Sequence, residues 1–180
     1  MQVHSPQRSA LLIIDMQVGL FHGPQQPWQG DQVLARITAL IGQAREAWAP
    51  IFALRHTGPQ GSPIAAGSAA WQVLPELGLD PAVDHLLDKT RPSCFFETGL
   101  AEQLDDAGVK RLIIVGMKSQ YCVDSTCRLA RDLGFEVVLV GDAHTCMETP
   151  GLSAQAIVEH HNATLNGAFV QVLSTAQVSF

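Results

Sequence analysis

Short runs of apolar residues alternate along this chain with longer segments in which apolar residues recur every three or four positions. A short apolar run is typical of a parallel strand buried on both faces, and the longer period is typical of an amphipathic helix. The predicted strands cover residues 10–14, 51–54, 86–89, 111–116, 136–140 and 169–173.

Residues that favour helix ends place four helices between these strands. They are a helix that begins at Asp31 and carries Trp48 on its buried face, one between Thr98 and Gly108, one from about Tyr121 to Leu133, and one that begins at Ser153. The alternation predicts an α/β fold of three layers, α/β/α, in which helices cover a six-stranded, mainly parallel sheet.

Length and composition bound the domain organisation and the partners. A chain of 180 residues, 47% of them hydrophobic, suits one domain spanning residues 1–180. The 11 Lys and Arg against 17 Asp and Glu give a net charge of −6 without a basic run, which argues against nucleic acid or a membrane surface as a partner. Because residues 1–9 are polar and no stretch approaches the ~20 apolar residues of a membrane helix, we expect a cytoplasmic protein.

The cysteines and the hydropathy add two expectations. Four cysteines without a C-x-x-C pair predict free thiols rather than a structural zinc site. The mean hydropathy of +0.14 and the uncharged residues 162–180 favour apolar surface buried between subunits, so we expect a homodimer or a larger homo-oligomer.

Polar residues follow the predicted strands at their carboxyl ends, where ligands bind in open parallel sheets. They are Asp15 and Gln17 after the first strand, His56 after the second, Lys89 at the end of the third, residues 117–122 after the fourth, and Asp142 and His144 after the fifth. A carboxylate, an amine and a thiol at one sheet edge are the components of an activated nucleophile.

The predicted position of Cys122, in the first turn of a helix, favours a thiolate there. A nearby Lys89 would lower the thiol pKa further, and Asp15 would take the thiol proton and later deliver it to a leaving amine. Backbone N–H groups of the preceding turn would hold a developing oxyanion.

Each of these residues also has a structural interpretation. An Asp after a strand is often a helix cap, a Lys is usually solvated, and a Cys is usually a small core residue. Cys94, Cys127 and Cys146 suit the core, as does His161. Substrate contact remains open for His56 and His144.

Three sequence blocks together resemble the isochorismatase-like cysteine hydrolases, which include nicotinamidases and N-carbamoylsarcosine amidase. The blocks are L-L-I-I-D-M-Q at residues 11–17, K-T-R-P-S-C-F-F-E-T-G-L at 89–100 and V-G-M-K-S-Q-Y-C-V-D-S-T at 115–126. The resemblance implies a sheet order of 3-2-1-4-5-6 and dimeric or larger assemblies. It also implies an Asp15–Lys89–Cys122 catalytic triad and a cis peptide between Met117 and Lys118, with the N–H groups of Lys118 and Cys122 forming an oxyanion hole.

The resemblance implies hydrolysis of a small amide-like C–N bond through a thioester, without a cofactor. Gln17, His56, Trp71 and Phe95 are the candidate substrate contacts, and the loop of residues 56–71 is a candidate pocket wall. No second histidine follows His56 before Trp71, so neither the metal site of nicotinamidases nor nicotinamide as substrate is supported.

Two further alternatives stay open at this point. Lys118, where relatives usually have a small residue, either favours an anionic substrate or points to solvent. The protein as a whole is alternatively a catalytically silent binding or scaffold member of the fold. It is also alternatively a thiol redox sensor, although no second cysteine lies at a spacing from Cys122 that suggests a resolving partner. The absence of G-x-G-x-x-G after the first strand disfavours a nucleotide-dependent oxidoreductase.

Overall fold

Six parallel strands form one sheet with the order β3-β2-β1-β4-β5-β6 in the computed structural model, which describes residues 8–180. The strands are Ser9–Ile14 (β1), Ile51–His56 (β2), His85–Lys89 (β3), Arg111–Met117 (β4), Glu136–Thr145 (β5) and Gln171–Leu173 (β6). Every neighbouring pair is parallel. The predicted fold class and strand order are therefore confirmed.

Helices cover both faces of this sheet. They are Val18–Phe21 (α1), Gly30–Glu46 (α2), Leu100–Asp106 (α3), Asp124–Asp132 (α4) and Ala154–Leu165 (α5), with a π-helical turn at Ser119–Val123. Leu11 and Ile13 of β1 pack with α2 on one face, and Leu12 and Ile14 pack with α3 and α4 on the other. Because both faces are covered, β1 is buried along its whole length.

Two predicted helix starts move by one or two residues. Helix α2 begins at Gly30, so Asp31 lies in its first turn instead of capping it. Helix α3 begins behind Gly99, while the Thr98 hydroxyl donates to the carbonyl of Cys94 at 2.6 Å. Ser153 caps α5 as predicted, accepting a hydrogen bond from the N–H of Ala156.

The placement of Trp48 on the buried face of α2 was wrong. The helix ends at Glu46, and Trp48 follows it in the left-handed region, with φ at 55°. Its side chain is 89% exposed.

The expected end of the fifth strand was also wrong, because β5 continues to Thr145. After a register shift, Gly116 and Met117 of β4 pair with His144 and Thr145. Asp142 and His144 therefore lie within β5 and not beyond its end.

The long segment after β2 is tied by backbone hydrogen bonds to the segment after β1. The N–H groups of Val18 and Gly19 donate to the carbonyls of Gln72 and Ala70 at 2.9 and 2.7 Å. A Cβ on Gly19 would meet the Cβ of Ala70 at 2.7 Å, so this close approach requires glycine. The loop forms one wall beside the carboxyl edge of the sheet.

The helices of residues 8–180 include none with both the length and the apolar character needed to cross a bilayer.

Candidate active site

The carboxyl ends of three strands bring Asp15, Lys89 and Cys122 together. Asp15 directly follows β1 in the left-handed region (φ 52°), Lys89 is the last residue of β3, and Cys122 lies in the π-helical turn after β4. Gly116 allows β4 to approach β1 at this edge, because a Cβ there would lie 2.1 Å from the carbonyl oxygen of Ile14. The sequence places the three residues on separate segments, and the parallel sheet joins them.

The Lys89 ammonium occupies the centre of the cluster. Its Nζ donates to Asp15 Oδ2 at 2.8 Å and to Cys122 Sγ at 3.2 Å. Nζ also lies 3.3 Å from the carbonyl oxygen of Arg91 and 3.4 Å from Nδ1 of His56. The Lys89 and Asp15 side chains are both buried, so this ion pair is shielded from water.

Burial and charge act in opposite directions on the two members of this ion pair. Burial raises the pKa of Asp15 above its ordinary value, although the ammonium of Lys89 opposes the change. Burial alone would lower the pKa of Lys89, but the Asp15 carboxylate and the nearby thiols outweigh it, so that pKa is raised. Lys89 therefore remains an ammonium at neutral pH.

The expectation of a lowered thiol pKa was wrong. Burial and the negative charge of Asp15 raise the pKa of Cys122 to about 12, and the attraction of Lys89 offsets this only in part. Cys122 also lies in a π-helical turn rather than in the first turn of a regular α-helix. At neutral pH Cys122 is therefore a thiol, and it lies beside the ion pair of Lys89 and Asp15.

Asp15 has a free acceptor for that thiol proton. Its Oδ2 is bonded to Lys89, while Oδ1 is buried and has no hydrogen-bond partner within residues 8–180. A carboxylate oxygen of Asp15, a ring nitrogen of His56 and Sγ of Cys122 lie within 4.8 Å of one another. The arrangement allows a proton to move from sulfur to carboxylate while both groups stay beside Lys89.

These three donors have the chemistry of metal ligands, but the site does not fit a metal ion. The Lys89 ammonium is within hydrogen-bond distance of all three residues. A second cation among them would meet this charge at close range and low dielectric. Burial and Lys89 also lower the pKa of His56, so its ring is neutral and Nδ1 accepts from the ammonium.

A cavity of about 250 Å³ opens onto the thiol. Its lining residues are Asp15, Leu20, His56, Ile64, Pro92, Lys118, Tyr121 and Cys122. The predicted wall, the loop of residues 56–71, contributes His56 and Ile64, whereas Leu20, Pro92 and Tyr121 were not predicted as wall residues. Pro92 lies in the second of the three quoted sequence blocks and Tyr121 in the third, whereas Leu20 carries no local signal.

Three of the four candidate substrate contacts lie outside the cavity lining. Gln17 is buried, and its Nε2 donates to the carbonyls of His56 and Trp71 at 3.1 and 2.8 Å. The Trp71 ring lies under the guanidinium of Arg55, and Phe95 is stacked on a neighbouring aromatic ring. Only His56 of the four lines the cavity.

His144 belongs to a buried polar chain that includes Ser119, in the π-helical turn that carries Cys122. Its Nδ1 lies 2.8 Å from the hydroxyl of Ser119, and its Nε2 lies 2.9 Å from Oδ1 of Asn162. Asn162 donates through Nδ2 to the carbonyl of Gly141 at 3.0 Å, which leaves Oδ1 to accept from Nε2–H. Ser119 therefore donates to Nδ1, and burial lowers the pKa of His144 to about 4.

The placement of Asp142 and His144 past the end of the fifth strand was wrong, and neither residue lines the cavity that contains Cys122. His144 holds Ser119 from behind and is absent from the cavity lining. The Asp142 carboxylate accepts from the N–H and the hydroxyl of Thr175 at 2.8 Å each and lies 3.5 Å from Arg36. Both residues connect elements of the fold.

The peptide between Met117 and Lys118 is cis. The carbonyl of Lys118 accepts from the N–H groups of Tyr121 and Val123 at 3.0 and 3.3 Å. These bonds turn the chain back on itself and bring Cys122 to the cavity.

Fold and site together define an α/β protein that holds a thiol, an ammonium and a carboxylate at the switch point of a parallel sheet. The chain belongs to the isochorismatase domain family, whose model matches residues 9–177.

Known relatives agree with this assignment. A streptothricin hydrolase of Streptomyces noursei is 35% identical over 78% of this chain, which spans only 51% of that relative's length. Nicotinamidase 3 of Arabidopsis thaliana is 30% identical over 75% of this chain and 72% of its own. The crystal structure of an isochorismatase from Pseudomonas putida KT2440 has a TM-score of 0.87 and 31% identity, covering 95% of this chain and 90% of that one.

Proposed function

We propose that this protein is a cysteine hydrolase that cleaves the C–N bond of a small amide. The observation that carries the proposal is the position of Lys89 Nζ, 2.8 Å from Asp15 Oδ2 and 3.2 Å from Cys122 Sγ. One ammonium thus contacts both groups that would exchange a proton. The negative charge moves from carboxylate to sulfur without leaving its counter-ion.

In the first half-reaction, Cys122 sulfur attacks the amide carbon while its proton moves to Asp15. Because the Cys122 pKa is raised to about 12, proton transfer accompanies attack instead of preceding it. The carbonyl oxygen takes the electron pair and accepts hydrogen bonds from the N–H groups of Lys118 and Cys122. When the C–N bond breaks, Asp15 returns the proton to nitrogen and ammonia or an amine leaves.

In the second half-reaction, water attacks the thioester carbon and gives a proton to Asp15. The C–S bond breaks, sulfur takes the proton back, and a carboxylic acid leaves. Lys89 is the counter-ion of whichever group carries the negative charge. Neutral His56 contributes a cavity wall.

The relatives and the cavity size support this reaction class. Two relatives are named as hydrolases or amidases, a streptothricin hydrolase and a nicotinamidase. The cavity of about 250 Å³ lies just below the range of about 300–1,000 Å³ that is typical of ligand sites, which favours a small substrate. The chain spans only 51% of the streptothricin hydrolase, so the substrate of that relative is not assigned to this chain.

The test is a screen of small amides, carbamoyl compounds and lactams for release of ammonia or acid. We expect Cys122→Ala to abolish turnover. The wild-type peptide that contains Cys122 should gain the mass of the acyl group, and the corresponding peptide of the variant should not. Cys127→Ala is the matched control, because Cys127 lies on the buried face of α4. Turnover that survives in Cys122→Ala excludes this nucleophile.

A second pair of variants tests the proton carrier. Asp15→Asn keeps the shape of the side chain but removes the acceptor, so we expect a loss of about 10³-fold or more in kcat. Asp88→Asn, next to Lys89 on β3 and partly exposed, is the control for loss of one carboxylate. A loss below tenfold in Asp15→Asn removes Asp15 from proton transfer.

We also propose that the chain is one domain and acts in the cytoplasm as a homodimer or larger homo-oligomer. Tyr121 and Leu152 are 53% and 56% exposed and line one apolar hollow, which supports a buried contact between subunits. Light scattering on the purified protein tests the assembly, and a monomer at micromolar concentration contradicts it.

A further inference from the structure

We propose that Lys118 selects substrates that carry a carboxylate in addition to the amide. This inference rests on the proposed hydrolase function and names its substrate class. It concerns the side chain of Lys118, whereas the proposed oxyanion hole uses its backbone.

Lys118 stands at the junction of two hollows. It lines the cavity that contains Cys122, and it also lines an adjoining hollow of about 250 Å³. Leu20 is common to both linings, and Pro24 and Met147 belong to the second hollow. A molecule that begins at the thiol and extends past Leu20 therefore passes along Lys118.

The backbone around Lys118 is firmly held. Its two neighbours in the chain, Met117 and Ser119, are fully buried. Ser119 is bonded to His144, and the carbonyl of Lys118 accepts two hydrogen bonds from the following turn. Lys118 is half-buried as a residue, and its side chain therefore starts from a fixed point on the cavity wall.

The charges that line the cavity leave Lys118 uncompensated. Asp15 is neutralised by Lys89 at 2.8 Å, and His56 is neutral because burial and Lys89 lower its pKa. None of the ion pairs formed within residues 8–180 includes Lys118. A protein with a net charge of −6 thus presents one positive charge to the bound molecule.

A carboxylate is the group that fits this charge best. A single ammonium balances one negative charge, and the apolar side chains of Leu20, Pro24 and Met147 suit a short hydrocarbon spacer. A phosphate would bring up to two negative charges. It would also bring more hydrogen-bond acceptors than this wall has donors to match. We therefore assign the substrate class as the monoamide of a small dicarboxylic acid.

The first test measures the rates at which iodoacetate and iodoacetamide alkylate Cys122. The two reagents differ only in that iodoacetate carries a carboxylate where iodoacetamide carries a neutral carboxamide. Sulfur displaces iodide from either reagent as the C–S bond forms, the C–I bond breaks and the thiol proton passes to solvent. Both reactions need the same thiolate, so the ratio of their rates does not depend on the thiol pKa. Peptide masses show which cysteine carries each adduct. The other three cysteines are buried, so we expect the adducts on Cys122.

We expect Lys118→Gln to lower the iodoacetate-to-iodoacetamide rate ratio about 5- to 50-fold, as for a unit charge roughly 6 Å away in an effective dielectric of about 25 to 60. Lys118→Arg keeps the ratio within about threefold. Lys110→Gln, an exposed lysine that pairs with Asp105, is the control for the same loss of net charge elsewhere. An unchanged ratio in Lys118→Gln overturns the inference.

The second test compares turnover of succinamate and succinamide, again as a ratio of kcat/KM values. We expect this ratio to fall at least tenfold in Lys118→Gln and to be retained in Lys118→Arg. If amides are hydrolysed and the ratio is the same in all three proteins, the inference fails and the hydrolase stands. If no amide is hydrolysed but the alkylation ratio still falls, the anion site stands and the hydrolase proposal fails.

Discussion

The ammonium of Lys89 lies 2.8 Å from the carboxylate of Asp15, and both side chains are buried beneath the cavity. The same ammonium is 3.2 Å from the sulfur of Cys122. Lys89 is thus a fixed positive charge that stabilises an anion on either neighbour. In the proposed reaction the cluster carries only one negative charge at any time, and this would let a thiol with a raised pKa act as the nucleophile.

Removal of the ammonium has a stability cost as well as a catalytic one. In Lys89→Met the Asp15 carboxylate is left buried without a counter-ion, so we expect a loss of about 3–5 kcal/mol in the free energy of unfolding at pH 7. Urea denaturation measures it. The double variant Asp15→Asn with Lys89→Met removes both charges and recovers much of the loss. A change below about 1 kcal/mol in the single variant contradicts the buried pair.

Alkylation of Cys122 reports its pKa directly. Because the thiolate is the reactive form and the pKa is raised to about 12, the rate with iodoacetamide rises about tenfold per pH unit between pH 7 and pH 10. A plateau below pH 9 contradicts the raised pKa and revives the thiol redox sensor, which requires a thiolate near neutral pH. Free glutathione, which levels off near its own pKa, is the reference.

The sheet and the strand-end residues were predictable because both follow from local patterns. Apolar runs identify buried parallel strands, and a parallel sheet brings the ends of β1, β3 and β4 to one edge whatever the loops do. Asp15, Lys89 and Cys122 were found in this way. Their separation along the chain did not matter.

The loop of residues 56–71 was predicted as a wall, but the rest of the cavity wall and the thiol pKa could not be predicted, because both depend on distances between distant segments. Ile64 reaches the cavity only because the loop after β2 is bonded to the segment after β1. The Cys122 pKa is set first by burial and then by the opposing charges of Asp15 and Lys89, and a sequence shows neither the burial nor the distances. Gln17 follows a strand as a site residue would, yet its amide is used on the backbone of His56 and Trp71.

The buried chain from Ser119 through His144 makes the fold sensitive to acid. The pKa of His144 is lowered to about 4 in the folded protein, against about 6.5 in the unfolded chain. Between these values only the unfolded state takes the proton, so stability is lost as pH falls from 6.5 to 4. We expect about 2 kcal/mol less stability at pH 5 than at pH 7 from this residue.

Urea denaturation of wild type and His144→Gln at both pH values isolates this contribution. His144→Gln loses stability at pH 7 because hydrogen bonds are removed. Its unfolding free energy should also fall less between pH 7 and pH 5 than that of the wild type. His160→Gln, on the exposed face of α5, is the control for removal of one histidine. Identical pH dependence in wild type and His144→Gln would show that His144 is not held neutral in the fold.

Gly116 determines how closely β4 can approach β1 beside Asp15, and a pair of glycine substitutions tests this. A Cβ at Gly116 would lie 2.1 Å from the carbonyl oxygen of Ile14, and φ of 117° is unfavourable for any other residue. We expect Gly116→Ala to cost at least about 3 kcal/mol of unfolding free energy or to yield insoluble protein. Gly42→Ala is the matched change within α2, where nothing lies within 4 Å of the added methyl group, and it should stabilise by about 0.5–1 kcal/mol. Calorimetry on both variants measures the contrast, and equal midpoints would mean that β4 does not depend on glycine for its contact with β1.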